Sequence, residues 1–389
     1  MTERWKKSAF SIADMRRLAM RALPRPVFDF ADGAAEDERT LRRNEAAFGD
    51  WDFVPRPLDG PATRDLSVDL FGKRLSMPLM IGPTGLSGLF APDGERAAAR
   101  AAAAAGTAFC LSHASVCTME DFAASGMTPR WMQIFVYRDR GFTQWFVERA
   151  ERSGFDALVL TVDNQLLGNR ERDLRNGFTI PPNFAIGGLL AMAGKLPWLL
   201  AMRRELPRIT FANYIREGEA ADLSSLSKRM ASLLDPGLSW HDVEWLRGLW
   251  KKPLLLKGIL SPIEAVRAVE LGVDGIIVSN HGGRQLDGAI AALDALPAIV
   301  EAVDGRVPIL VDGGIRRGAD AVKALILGAK ACLIGRPQLY GLAVGGEAGV
   351  AHVLDIYRRE IDRTMGLLGA SRLADLDRSH LVGRSRIIV

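Results

Sequence analysis

The run Ile276-Ile-Val-Ser-Asn-His-Gly-Gly-Arg-Gln-Leu-Asp287 sets an imidazole, His281, and a guanidinium, Arg284, three residues apart, directly after an apolar stretch. An imidazole titrates near neutral pH and can take a proton as a general base. A guanidinium holds a carboxylate through two parallel hydrogen bonds. A capping histidine beside a surface arginine is the alternative, but the chain has only five histidines, which makes one in such a loop noteworthy. Two further loops, Val311-Asp312-Gly313-Gly314-Ile315-Arg316-Arg317-Gly318 and Leu333-Ile334-Gly335-Arg336-Pro337, combine flexible backbone N–H groups with arginines. That combination suits a phosphate.

These residues need a frame that brings them together. Short apolar runs recur at Pro78–Ile81, Ala108–Leu111, Trp131–Ile134, Ala157–Thr161, Leu254–Lys257, Gly275–Val278, Pro308–Val311 and Ala331–Ile334. Runs of this length, bounded by turn residues, read as strands buried on both faces. Helical patterns follow several of them: Gly94–Ala105; Pro262–Leu271, with Ser261 at its N-cap and Gly272 after its end; and Gly318–Leu327, closed by Gly328. Eight such units predict an α/β fold, a (β/α)8 TIM barrel. An open doubly wound sheet is the alternative. The barrel puts chemistry at the strand C-termini, and reading just past each run yields Thr84, Ser112, Gln133, Thr161 with Asp163, Lys257, Ser279 with His281 and Arg284, Asp312 with Arg316, and Gly335 with Arg336. Any one of these suits a helix cap or a solvated charge. All eight strand ends doing so is hard to ascribe to capping. On this reading the two arginine-bearing loops follow strands seven and eight, the usual phosphate site of the fold.

The whole chain, 1–389, reads as one domain: 1–75 form a charged, partly helical N-terminal cap, and 345–375 a final helical segment. A long insertion, 177–236, follows the fourth strand, far beyond ordinary loop length. The formal net charge is +4 and no basic run is interleaved with aromatics, which speaks against nucleic acid as a partner. Cys110, Cys117 and Cys332 make no C-x-x-C pair, no metal site is expected, and the charged N-terminus does not read as a signal peptide. A reducing, cytoplasmic setting follows from these.

The Ser-Asn-His-Gly-Gly-Arg-Gln-Leu-Asp run resembles the signature of the FMN-dependent 2-hydroxy acid oxidase and dehydrogenase family, which includes glycolate oxidase, L-lactate dehydrogenase and mandelate dehydrogenase. The similarity spans about Leu23 to His380. The resemblance implies FMN as cofactor, with Pro83, Thr84 and Gly85 against the flavin, and Ser112, Gln133, Thr161 and Ser279 around its ring. It implies Lys257 beside the ring edge that gains negative charge. Asp312, Gly313, Gly314, Arg316, Gly335 and Arg336 would hold the ribityl chain and phosphate. His281 matches the base, Asp163 its partner, and Arg284 with Arg170 the pair that binds the substrate carboxylate. Two departures stand out: Phe30 and Phe135 occupy positions where the family usually has tyrosines that touch the substrate. The pocket is therefore expected to favour a bulky or aromatic 2-hydroxy acid, and Tyr214 in the insertion is the tyrosine expected to be free enough to swing in. A substrate lacking a free carboxylate (an amine, amide or ester) is the second reading, and a flavin-free barrel lyase or isomerase the third. The electron acceptor would be oxygen, a quinone or a cytochrome, and the assembly a homotetramer. Phe178–Met202 carries a single charge, Lys195, contains Trp198 and precedes Arg203-Arg204. It reads either as a segment lying on a membrane surface, Trp and basic residues at the headgroups, or as a lid or oligomer contact. Glu217–Leu234 reads as a polar amphipathic stretch.

Overall fold

The computed structural model describes residues 3–60, 62–177, 194–215 and 234–384. Eight strands close into a parallel barrel in chain order: β1 (Leu79–Ile81), β2 (Phe109–Leu111), β3 (Arg130–Ile134), β4 (Ala157–Thr161), β5 (Leu254–Ile259), β6 (Gly275–Val278), β7 (Ile309–Asp312) and β8 (Ala331–Ile334). Closure comes from β8 against β1, where Cys332 faces Leu79 and Ile334 faces Ile81, which excludes an open doubly wound sheet. Each strand matches its apolar run to within two residues at either end. The crossover helices are α1 (Gly94–Ala104), α2 (Met119–Ala123), α3 (Arg140–Arg152), α4 (Trp240–Leu249), α5 (Pro262–Glu270), α6 (Ala292–Val303), α7 (Gly318–Ile326) and α8 (Arg336–Leu367). Thr118 and Asp139 cap α2 and α3 through their side chains. Ser261 sits at the N-cap of α5 without a side-chain bond. Non-helical backbone at Gly345 and Gly346 divides α8, so the final helical segment does start just past 345, but it ends at Leu367 and not at 375.

Strand alternation explains the polar rim. Cys110, Trp131, Val159, Leu255, Ile277 and Leu310 pack in one cluster inside the barrel, closed from below by Val68, Leu70 and Leu75 of a small hairpin. Two residues further along each strand or its end, on the same inward face, stand Ser112, Gln133, Thr161, Lys257, Ser279 and Asp312. The barrel interior is thus apolar at the bottom and polar at the top.

The N-terminal region does more than cap. Its helix Arg25–Asp32 brings Phe30 to the rim, and Asp32 is fixed by Tyr340 Oη at 2.8 Å and by Arg172 at 3.3 Å. Within the insertion, Leu196–Met202 is a helix whose Trp198 and Met202 are buried. The Trp198 indole N–H donates to the Leu89 carbonyl at 3.2 Å, so this tryptophan packs on the barrel and not at a headgroup layer. Residues 178–193, and Glu217–Leu234 apart from Leu234, lie outside the described residues. Among the described residues no helix is long and apolar enough to cross a membrane.

Candidate active site

All eight strand ends contribute to one cavity of about 340 Å3. Pro83, Thr84 and Gly85 come from β1, Ser112 from β2, Gln133 and Phe135 from β3, Thr161 from β4, Lys257 from β5, and His281, Gly282 and Arg284 from β6. Asp312 ends β7, Gly313, Gly314 and Arg316 follow it, Gly335 and Arg336 follow β8, and Arg170 and Phe30 also line the wall. Of the expected site residues, Asp163 and Ser279 stand just behind this wall, each bonded to residues in it.

Asp163 Oδ1 lies 2.9 Å from His281 Nδ1. A carboxylate only accepts, so Nδ1 carries the proton and Nε2 keeps its lone pair. Burial pushes His281 below its ordinary value, against the opposing pull of Asp163. The ring is therefore neutral at neutral pH and ready to accept a proton. Burial alone would raise Asp163, but its pairing with His281, including the ring N–H hydrogen bond, and the nearby Lys257 ammonium hold it below the usual carboxylate range. Ser279 Oγ accepts from Lys257 Nζ at 2.7 Å and from the His281 N–H at 3.1 Å. Lys257 also pairs with Asp312 at 2.9 Å. Burial would lower this lysine, and the two neighbouring carboxylates outweigh it, leaving a buried, firmly charged ammonium.

His281 takes a left-handed backbone, φ 58°, followed by Gly282 at 63° and Gly283 at 76°. A Cβ on Gly283 would come 2.6 Å from the Leu41 backbone nitrogen, so the loop lies directly against the helix Arg39–Ala46. Only glycine allows that approach and that conformation together. Arg284, next in the chain, donates to the Gly33 carbonyl at 2.7 Å and lies over the Phe30 ring at 5.4 Å.

Three of the four arginines of the cavity, Arg170, Arg284 and Arg336, are short of counter-charge. Arg336 is held by the carbonyls of Ala31, Gly33 and Gly282, and Arg170 by Gln285 Oε1 at 3.3 Å. Arg316 pairs with Glu45 at 3.0 Å. Burial depresses Arg170, Arg284 and Arg336 from their ordinary value, and neighbouring guanidinium charge depresses Arg284 and Arg336 further. Guanidinium does not give up its proton, so these buried cations favour an anionic ligand. Thr161 Oγ1 and Asp312 Oδ1 are buried there without a partner among the described residues. Cations, unpaired polar atoms and flat apolar walls together fit a phosphorylated, hydrogen-bonding aromatic cofactor such as FMN.

Tyr214 does not swing in. It is fully buried, and its hydroxyl is 2.7 Å from that of Tyr137. Tyr137 itself lies just past β3, bridged to Leu234. Among the polar wall residues that escaped the sequence reading are Asn164 and His113, the latter immediately after Ser112. The signal for His113 was available, since it is a histidine at a strand end, but counting one residue past the run stops at Ser112.

Residues 19–383 match the family model described as FMN-dependent dehydrogenase. The chain is 44% identical over 378 residues to an L-lactate oxidase of Nostoc sp., covering 96% of this chain and 98% of that protein. It is 42% identical over 379 residues to an L-lactate dehydrogenase of Caulobacter vibrioides, covering 96% and 98%. Among solved structures it is similar to a monotopic membrane protein, (S)-mandelate dehydrogenase, with TM-score 0.92 and 40% identity over 96% of this chain and 99% of that one. The barrel, the cavity and these likenesses agree: the chain belongs to the FMN-dependent dehydrogenase family.

Proposed function

We propose that the protein oxidises a 2-hydroxy acid, one with a bulky or aromatic substituent, to the 2-oxo acid. The observation that carries this is the His281–Asp163 pair sharing one cavity with Arg170 and Arg284. The two arginines clamp the substrate carboxylate, which favours a free acid over an amide or ester. His281 Nε2 receives the proton that the substrate loses, and Asp163 stabilises the imidazolium so formed. Bound FMN supplies the two-electron acceptor. Arg316 and Arg336, with the backbone of Gly313, Gly314 and Gly335, suit its phosphate, and Asp312 its polyol. Ser112, Gln133, Thr161 and Lys257 suit the ring, with Pro83, Thr84 and Gly85 against its face and Ser279 steadying Lys257. Phe30 and Phe135 make the substrate pocket dry, and the similar relatives are named for lactate, 2-hydroxy acids and mandelate. Anaerobic bleaching of the flavin across a panel of 2-hydroxy acids tests the reading. Bleaching by none of them would sink it.

Oxygen, a quinone and a cytochrome are the candidate reoxidants, separated by mixing the reduced enzyme with each in turn. Peripheral attachment to a membrane draws support from the apolar composition of 178–202 and from the likeness to a monotopic mandelate dehydrogenase. Recovery of the intact enzyme in the detergent-free soluble fraction would count against it. The homotetramer expected from the resemblance is checked by sedimentation.

A further inference from the structure

His113 is the second histidine in the cavity wall among the described residues. It is 6% exposed, with its ring centroid 4.3 Å from that of Phe135. Its Nδ1 lies 2.7 Å from Gln133 Oε1. The Gln133 amide is oriented by the backbone on both sides: Oε1 also receives the His113 N–H at 3.3 Å, while Nε2 donates to the Ile134 carbonyl at 3.0 Å. The atom facing Nδ1 is therefore an acceptor, so Nδ1 carries the ring proton. Burial, aided by the neighbouring His281, pushes the imidazolium down to about 4 against the hydrogen bond to Gln133. At neutral pH the ring is neutral, and its Nε2 is a bare acceptor, buried and without a partner among the described residues.

A buried acceptor left unpaired is costly, and native structures seldom keep one without a use. The nearest ring, Phe135, has no group to offer it. We propose that His113 Nε2 accepts a hydrogen bond from an O–H or N–H on the substrate's substituent, which makes the preferred substrate a 2-hydroxy acid with a hydroxylated aromatic group. This rests on the function proposed above and narrows it. The apolar wall of Phe30, Phe135, Phe211 and Leu167 packs the aromatic body, and His113 reads its polar edge. A pocket that buries a hydrogen-bonding group discriminates strongly against a ligand that leaves the group unpaired.

The test compares mandelate with 3- and 4-hydroxymandelate, and each phenol with its methyl ether, which keeps the size but loses the donor. The expected result is that one phenol exceeds both its ether and mandelate in kcat/KM by about ten- to a hundredfold. In His113→Phe that preference should shrink to about threefold or less, read as the ratio of phenol to ether whatever the absolute rate, and His113→Gln, which keeps an acceptor, should restore part of it. Flavin absorbance per mole of protein is read first, because His113 also contacts Gln133. If His113→Phe loses its flavin, the comparison of phenol with ether in the unmodified enzyme decides. Equal treatment of phenols and ethers by the unmodified enzyme, or a preference that survives His113→Phe, overturns the proposal. If no hydroxy acid bleaches the flavin, the proposed function is what fails. The corresponding 2-oxo acids, ranked by their perturbation of the flavin spectrum, then still report whether His113 selects the donor.

Discussion

An imidazole bonded through Nδ1 to a buried carboxylate has one free nitrogen and a counter-charge waiting for the proton it takes up. Replacing His281 with Ala should slow substrate-driven flavin reduction by about 10²–10⁴-fold while flavin stays bound, as rapid mixing without oxygen would show. Because burial holds His281 below its ordinary value, the reduction rate should be flat at neutral pH and fall only on acidification beneath the usual histidine range. Asp163→Asn removes the group that favours the imidazolium, so the acidic limb should move to lower pH while the plateau rate drops. An acidic limb that stays in place would show that Asp163 does not set this equilibrium. Phe30 and Phe135 make a second residue-scale case. A phenol donating to a carboxylate or developing oxyanion is worth about 1.5–3 kcal/mol, or roughly one to two decades. Phe30→Tyr and Phe135→Tyr should raise kcat/KM on glycolate and L-lactate by up to that span. Efficient glycolate oxidation by the unmodified enzyme would show that those phenols are dispensable here.

The loops that carry these residues are held by contacts between elements rather than by their own conformational preference. Glu95, fully buried in α1, accepts from the backbone N–H groups of Ser87 and Val116 at 3.0 and 3.1 Å, tying the loop after β1 to the loop after β2. Burial pushes its carboxyl up to about 7. Glu95→Ala leaves both N–H donors without this acceptor, and should cost about 1–3 kcal/mol of stability, read from denaturant unfolding; Glu95→Gln should cost less. Gly283 is the other such point. Gly283→Ala adds about 1–2 kcal/mol of left-handed backbone strain to the 2.6 Å encounter with Leu41. It should displace Arg284 and raise KM for the acid more than it destabilises the fold. An unchanged KM would mean that the loop tolerates the shift without moving Arg284.

At the scale of the molecule, the barrel gathers Arg170, Arg284, Arg316 and Arg336 in one cavity with few acids to face them. Bringing cations together with little counter-charge opposes folding, and an anionic ligand that neutralises them stabilises the native state by mass action. FMN at a hundred times its Kd should add about 2.7 kcal/mol to unfolding. Riboflavin, which has the ring but lacks the phosphate, should bind the apoprotein far more weakly. Equal affinity for the two, measured by quenching of flavin fluorescence, would mean that Arg316 and Arg336 do not hold the phosphate. The small overall charge of +4 gave no hint of this concentration, because a net count averages over the acids on the outer surface.

The strands, their order and the polar rim were legible in the chain alone. A barrel strand buries both faces and alternates with period two, so spacing along a few residues already sets Ser112 above Cys110, Gln133 above Trp131 and Lys257 above Leu255 on the inner side. That is a local property, and local properties leave a pattern. Phe30 and Phe135, singled out by resemblance, both line the cavity. Other features had no local trace. Asp163 meets His281 across 118 positions, and Arg336 meets Gly33 across 303. Tyr214 is pinned by Tyr137 across 77, which removed it as a mobile donor, and His113 has an unpaired nitrogen only because Gln133 turns its oxygen toward the other one. Hydrogen bonds between distant positions depend on which strands are neighbours and how side chains turn once packed, and neither is encoded in any window of sequence short enough to show a period.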